Sequence, residues 1–172
     1  MTNESNIEFL GKVKADKRTT LAEDAKKDHA EISADKAYWI KHGANHWARV
    51  FHHGKYIAQR READLLVVEL FAFLHDSCRF DEGRDLKHGE RGAEFAYGMN
   101  GNLFHLTSTQ LDDLCFAIRH HSGGDITTNA TIQTCWDSDR LDLGRVGIVP
   151  SSKYISNIAS EMIDYALDLS IK

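Results

Sequence analysis

The 172-residue chain has a single proline, Pro150, and almost no stretch in which apolar and polar residues alternate. Strands that expose one face to solvent require that alternation, so its scarcity argues against a β-rich fold. The rarity of proline also removes the residue that most often interrupts a helix. Apolar residues recur instead at intervals of three and four, which is the period of an amphipathic helix. We therefore predict an all-α fold.

The chain also lacks an uncharged apolar run long enough to cross a membrane. Its longest apolar stretch, LLVVELFAFL, contains Glu69, whereas a spanning helix needs about 20 apolar residues. The first residues, MTNESNIEFLGKVK, contain no apolar signal core. The cysteines are odd in number and form no CxxC pair, which disfavours a disulfide framework; they are Cys78, Cys115 and Cys135. We expect a cytoplasmic protein without a membrane partner.

A strong positive charge is absent as well. The formal net charge is -5, from 21 basic and 26 acidic residues, and the basic residues form no cluster. A nucleic-acid polymer is therefore not an expected partner, because its phosphates are bound by concentrated lysine and arginine. A small phosphorylated ligand stays compatible with this charge, since one metal ion or arginine can reverse the local field.

The residues that are present describe an ordinary globular protein, 42% hydrophobic and 27% charged. A chain of this length buries roughly 70% of its unfolded surface, which suits a single core. Residues 1–35 are rich in lysine, aspartate and glutamate, so we predict an N-terminal helical arm or extension there and one domain over residues 36–172. The sequence leaves open whether the protein forms a homo-oligomer.

Apolar spacing and boundary signals predict six helices in the main domain. The fourth has the clearest limits, because Thr107 and Gln110 form a capping box and two glycines follow its end. The third contains glycines, whose small size suits close packing against a neighbouring helix. The predicted segments are Asn45 to Arg61, Ala63 to Ser77, HGERGAEFAYGM, TSTQLDDLCFAIRHHS, Ala130 into DRLDLG, and SKYISNIASEMIDYALDL.

Two polar residues, His75 and Asp76, stand side by side at the end of the second, almost wholly apolar segment. Burying a carboxylate there is costly unless it is hydrogen-bonded, paired or bound to a metal. Neighbouring residues of a helix point about 100° apart, but an imidazole and a shorter carboxylate at a helix end can still converge on one ion between them. The pair is therefore a candidate metal site that needs partners from elsewhere in the chain.

Helical phase selects the candidate partners. His46 lies on the same helix face as the core residue Val50, which follows it after four positions. For His46 alone, a hydrogen-bonded core histidine is the simpler interpretation. Asp139 falls on the apolar stripe of its helix, whereas Asp137 is about 200° away and faces elsewhere. By the same argument His121, not its neighbour His120, continues the inward face of the fourth helix.

In chain order, His46, His75, Asp76 and Asp139 resemble the H...HD...D signature of the HD-domain superfamily of metal-dependent phosphohydrolases. The resemblance covers about residues 40–150 and includes the stretches HGANHWARV, LFAFLHDSCR, HGERGA, AIRHHS and SDRLDLGRVGI. It implies an all-α HD-domain helical bundle in which these four side chains bind one divalent cation. The mixed nitrogen and oxygen donors suit Mn, Fe, Co, Ni or Zn, and suit Mg less.

That resemblance implies hydrolysis of a small phosphorylated molecule, with a nucleotide as the favoured substrate, by a metal-activated water. Catalytic roles are expected for Asp76, Arg79, His88 and His121. Contacts to the substrate phosphate are expected from Arg79, Lys87, His88, Arg91 and His121. Two further roles stay open: Arg49 forms either a salt bridge near the site or a substrate contact, and Asp81 or Asp85 assists proton transfer.

Two alternatives remain. His88 and His121 would extend the set to H...HD...H...H...D, which resembles dinuclear members of the superfamily, including hydrolases and iron oxygenases. The short spacing between His75-Asp76 and His88 favours a phosphate contact for His88 instead. The other alternative is a catalytically silent module that binds a metal or ligand without turnover, although the presence of all four ligands argues against a decayed enzyme.

Overall fold

The computed structural model of the protein describes residues 43–80 and 85–170. These residues form seven α-helices and one 3-10 helix, and they contain no strand, only an isolated bridge between Asn100 and Phe104. The prediction of an all-α fold is confirmed. The arm predicted over residues 1–35 lies outside the described residues.

The first five helices agree with the predicted segments, and the third has the predicted limits. In chain order the elements are α1 (Ala44–Arg61), α2 (Leu65–Leu74), α3 (His88–Met99), α4 (Ser108–His120), α5 (Ala130–Leu141), a 3-10 helix (Asp142–Val146), α6 (Asn157–Ser160) and α7 (Ile163–Ser170). The second helix is shorter than predicted, since the chain passes into turns after Leu74. Asp76 therefore lies in the turn that follows α2 and not in the helix itself.

Polar caps join the starts of three helices. The Asp64 side chain accepts hydrogen bonds from the first amides of α2, and its second oxygen accepts one from Gln110 at the start of α4, at 2.7 Å. The Asp64 amide donates to Thr131 in the first turn of α5. The predicted capping box between Thr107 and Gln110 is present. The amino ends of α2 and α4 are therefore joined by a hydrogen bond between Asp64 and Gln110.

Helix α2 lies at the centre of the core and contacts α1, α3, α4 and α5. Its buried side chains are Val67, Val68, Leu70, Phe71, Ala72 and Leu74. Each valine, leucine or phenylalanine among them contributes roughly 1.5 to 3 kcal/mol when it is fully removed from water. The apolar segment therefore anchors the polar residues that follow it in a rigid surrounding.

Helices α3 and α4 approach closely because α3 contains glycine where they meet. A Cβ atom on Gly89 would lie 2.8 Å from the Arg119 carbonyl oxygen and 2.9 Å from that of Ile118. A Cβ atom on Gly92 would lie 3.0 Å from an Ile118 side-chain carbon. The predicted role of these glycines in close packing is confirmed, and it brings His88 up to the end of α4.

The single C-terminal helix predicted from SKYISNIASEMIDYALDL is wrong. The chain forms two short helices, α6 and α7, which are separated by a turn at Glu161 and Met162. The Ser156 hydroxyl accepts a hydrogen bond from the Ala159 amide and starts α6. A turn with Met162 N bonded to Ala159 O ends α6, and Met162 is buried against Ile57 and Leu141. The apolar spacing reflects this shared core and not one continuous helix.

Candidate metal centre

Six imidazole and carboxylate side chains converge where helices begin or end. His46 comes from the first turn of α1, His75 caps α2, Asp76 lies in the following turn, His88 opens α3, His121 caps α4, and Asp139 is in the last turn of α5. All six are buried or nearly so; the Asp139 side chain is the most accessible, at 14%. The structure thus brings together the four predicted metal ligands and the two further histidines.

The four predicted ligands form the first group. His46 Nε2 lies 3.1 Å from His75 Nε2, 3.8 Å from Asp76 Oδ2 and 3.6 Å from Asp139 Oδ1. The corresponding distances from His75 Nε2 to these carboxylates are 3.7 and 3.5 Å. Atoms bound about 2.1 Å from one ion lie roughly 3 to 3.5 Å apart in tetrahedral or octahedral geometry. The group is therefore close to the arrangement that a single divalent cation requires.

The ring tautomers of His46 and His75 strengthen this interpretation. His46 Nδ1 lies 2.7 Å from a carboxylate oxygen of Asp142, and His75 Nδ1 lies 3.1 Å from the Phe71 carbonyl oxygen. Both oxygens only accept hydrogen bonds, so each Nδ1 holds the ring proton. When both rings are neutral, their Nε2 lone pairs are directed at each other. A cation or an added proton must separate the two lone pairs, and burial lowers the pKa of His46 to about 4.

A second group lies on the other side of Asp76. The Nε2 atoms of His88 and His121 are 2.9 Å apart, and each lies 3.4 Å from Asp76 Oδ1. Their Nδ1 atoms donate to the carbonyl oxygens of Asp85 and Ile118. The second pair therefore has the same conflict between facing lone pairs. The Ser122 hydroxyl, 3.1 and 3.2 Å from the two nitrogens, has one proton and can donate to only one of them.

Asp76 belongs to both groups. Its Oδ2 faces His46 and His75, while its Oδ1 faces His88 and His121. Oδ1 is buried and has no hydrogen-bond partner within the described ranges. A buried carboxylate oxygen without a donor is costly. Asp76 Oδ1, together with the Nε2 atoms of His88 and His121, therefore offers donors for a second cation.

The carboxylates of the site are anionic. Burial alone would raise the pKa of Asp76, but His75, His121 and His46 hold it well below the usual range. The pKa of Asp139 is lowered against burial by the same three histidines, with His75 contributing most. Burial also lowers the pKa of His88. Anionic carboxylates and neutral imidazoles are the protonation states that bind metal ions.

Asp142, which sequence reasoning missed, is the fully buried partner of His46. Arg49 donates to it twice, from Nε to Oδ1 at 2.6 Å and from Nη2 to Oδ2 at 3.1 Å. Of the two roles left open for Arg49, the structure shows the salt bridge. The sequence contained one signal, because Asp142 follows Asp139 by three residues and so lies near the same helix face.

The predicted phosphate-binding residues are placed differently from one another. Arg79 Nη1 lies 3.6 Å from Asp76 Oδ1, beside the second group. Lys87 is exposed immediately before His88. The Arg91 guanidinium is directed away from the group: it donates to the Cys78 carbonyl oxygen and to the Asp85 carboxylate, and it lies 4.0 Å from the centre of the Phe80 ring.

Of the two acidic residues considered for proton transfer, Asp85 lies in the described part of the chain. Asp85 accepts hydrogen bonds from the Phe80 amide and from Arg91, so it stabilises the segment that leads into α3. Asp81 lies outside the described residues. The structure thus gives Asp85 a local structural role beside the second group.

Asp137 lies apart from both groups, as helical phase predicted. Its Oδ1 accepts hydrogen bonds from Gln133 Nε2 at 2.7 Å and from the Ser156 amide at 3.1 Å, and its Oδ2 lies 3.4 Å from Arg61 Nη1. A cavity next to this network is lined by Arg61, Gln133 and Ser156 and contains none of the six site residues. Asp137 and Asp139, two residues apart on α5, thus make separate sets of contacts.

Among the helices in residues 43–80 and 85–170, none combines the length and apolar character that a membrane crossing requires. Among curated protein sequences, none matches the chain significantly. A crystal structure described as a predicted HD superfamily hydrolase, from an uncultured Thermotogales bacterium, is similar in fold, with a TM-score of 0.62 and 24% sequence identity. The similarity covers 95% of this chain and 86% of the other.

The family model described as "HD domain" matches residues 43–161. This range contains all six residues of the two groups, and the helices that carry them follow one another as the four-ligand signature requires. The chain belongs to the HD-domain family.

Proposed function

We propose that the protein is a metal-dependent hydrolase of a small phosphorylated molecule, with a nucleotide as the favoured substrate class. The observation that carries the proposal is the facing Nε2 pair of His46 and His75, flanked by oxygens of Asp76 and Asp139. When bound, a divalent ion supplies a water of lowered pKa and polarises a phosphoryl oxygen. The donor set favours Mn, Fe, Co, Ni or Zn over Mg.

The chain's own residues hold the reacting groups. His46 and His75 are buried, and they present only their Nε2 atoms to the site. Asp139 is the most accessible ligand, so the substrate approaches from its side. Arg79 and Lys87 supply positive charge near the second group, where a phosphate would sit.

In the form with one ion, His88 and His121 contact the phosphoryl group. Hydrolysis joins the oxygen of water to phosphorus and breaks the bond from phosphorus to the leaving oxygen; the water releases one proton, and the leaving oxygen takes one up. The Nε2 atoms of both histidines have their lone pairs directed into the site, because each Nδ1 already donates to a carbonyl oxygen. One of these imidazoles accepts the released proton.

The second candidate is a dinuclear enzyme, either a hydrolase or an iron oxygenase. It is favoured by one observation: the buried Asp76 Oδ1 has no hydrogen-bond partner in the described part of the chain and lies 3.4 Å from both His88 Nε2 and His121 Nε2. In this form Asp76, His88 and His121 would hold a second ion, and the two histidines would be ligands and not phosphate contacts. The absence of nucleic-acid and membrane partners and the cytoplasmic location remain part of the proposal.

Metal analysis and an activity panel test the proposal together. Purified protein loaded with Mn, Co or Zn is expected to release phosphate or pyrophosphate from at least one member of a broad set of nucleotides and phosphoesters. Close to one ion per chain supports the mononuclear form, and close to two supports the dinuclear form. Two irons with oxygen consumption would favour the oxygenase. Metal binding without turnover of any substrate would identify a silent binding module and contradict the hydrolase.

A further inference from the structure

The four imidazoles of the two groups are not held alike. All four direct Nε2 into the site, and their Nδ1 atoms face away. Three of the Nδ1 atoms, those of His75, His88 and His121, donate to main-chain carbonyl oxygens. Only His46 among the four donates to a carboxylate, that of Asp142 at 2.7 Å. The first group therefore has a negatively charged support that the second group lacks.

The surroundings of Asp142 keep it charged and fixed. Its side chain is fully buried, and the Arg49 guanidinium donates to both of its oxygens. Arg145 Nη1 donates to the main-chain oxygen of Asp142 at 3.0 Å and lies 3.8 Å from Oδ2. An aspartate bound in this way holds one rotamer, and so it holds the ring of His46 in one orientation.

We propose that Asp142 is a positioning residue that makes the first group the tighter of the two metal sites. Its carboxylate keeps the His46 proton on Nδ1 and increases the electron density at Nε2, the atom that faces the metal position. Partners of this kind typically change metal affinity 10- to 100-fold. The inference rests on the proposed metal-dependent function, and it adds an order of binding to it: the ion at His46, His75, Asp76 and Asp139 binds first.

Asp142→Asn is the informative substitution because it keeps the shape of the side chain. Asparagine has one acceptor oxygen and one NH₂ group where aspartate has two acceptors. If the NH₂ group faces Arg49, two donors oppose each other. If it faces His46, the ring proton must move to Nε2 and blocks the metal position. Either arrangement weakens the first site, and the second group, which Asp142 does not touch, keeps its affinity.

Asp137→Asn is the matched control. Asp137 is also fully buried, lies on α5 five residues before Asp142, and pairs with an arginine, but its contacts are with Gln133, Ser156 and Arg61. Mn²⁺ or Co²⁺ affinity is measured by competition with a chelator in the wild type and both variants, with circular dichroism to verify folding. We expect the tightest dissociation constant to rise 10- to 100-fold in Asp142→Asn and to stay within about twofold in Asp137→Asn.

A measurement on the wild type keeps the inference testable if Asp142→Asn does not fold. Nitrogen-15 shifts of the histidine rings in the metal-free protein should show His46 protonated at Nδ1 and not at Nε2 at neutral pH. A proton on Nε2 would overturn the inference, as would an unchanged affinity in Asp142→Asn or an equal loss in Asp137→Asn. If the wild type binds no Mn²⁺ or Co²⁺ at all, the proposed function itself fails, which is a separate result.

Discussion

Asp76 Oδ1 and His121 Nε2 lie 3.4 Å apart, although 45 positions separate the two residues in sequence. The contact joins the carboxyl ends of α2 and α4, whose starts are also joined, through Asp64 and Gln110. The two helices are therefore connected by polar side chains at both ends.

His121→Ala should separate the two groups experimentally. Removing His121 leaves all four ligands of the first group in place, so the tightest metal site should persist. Turnover should fall about 100-fold or more, because either a phosphate contact or a ligand of a second ion is lost. Metal content and kcat are measured on the same preparations. Loss of the tightest site would contradict the division into two groups. The control is His120→Ala, because His120 is next in sequence to His121 but contacts Phe116.

Asp139→Ala should abolish both metal retention and activity. The substitution removes the oxygen that lies 3.6 and 3.5 Å from the two imidazole nitrogens of the first group. It also removes a carboxylate that offsets the burial of His75, whose pKa is raised by Asp76 and Asp139 although burial alone would lower it. Metal content after gel filtration and phosphate release are the measurements. Activity equal to that of the wild type would refute the assignment of Asp139 as a ligand.

Gly89→Ala should destabilise the fold and disturb the second group. The new Cβ atom would lie 2.8 and 2.9 Å from two main-chain oxygens of α4, which cannot rotate away as a side chain could. We expect a loss of about 1 to 3 kcal/mol in the free energy of unfolding. Gly98→Ala in the same helix is the control, because no atom of the described residues would lie within 4 Å of its Cβ atom. That variant should be neutral or up to about 1 kcal/mol more stable.

His53→Leu should make the metal-free protein more resistant to acid. His53 is fully buried, neither ring nitrogen has a hydrogen-bond partner among the described residues, and burial lowers its pKa from 6.5 to about 4. The unfolded chain therefore binds a proton below pH 6.5 that the folded protein binds only near pH 4. Folded-state stability falls across this window by as much as roughly 3 kcal/mol, and none of that loss occurs above it.

Urea unfolding of the wild type and His53→Leu at pH 7.5, 5.5 and 4.5 measures the effect. The difference in unfolding free energy between the variant and the wild type should shift in favour of the variant as the pH falls. A constant difference at all three values would show that His53 does not contribute to the acid sensitivity. The measurement compares two proteins that keep the same site residues, so protonation of the site is common to both.

The sequence by itself determined the features that depend on short-range geometry. A helix advances 100° per residue, so phase alone separated Asp139 from Asp137 and His121 from His120, and the structure places each of the four as that phase predicts. The capping box at Thr107 and the limits of α3 also follow from neighbouring residues. The order of His46, His75, Asp76 and Asp139 along the helices was sufficient to indicate the family.

Only the tertiary structure decided which residues support these ligands. His46 and Asp142 are 96 positions apart, and nothing in local spacing indicates that one imidazole meets a carboxylate while three meet carbonyl oxygens. The direction of Arg91 toward Cys78 and Asp85, and the break between α6 and α7, likewise depend on packing against distant residues. Helical phase assigns a residue to a face, but its partner there is chosen by how the helices pack.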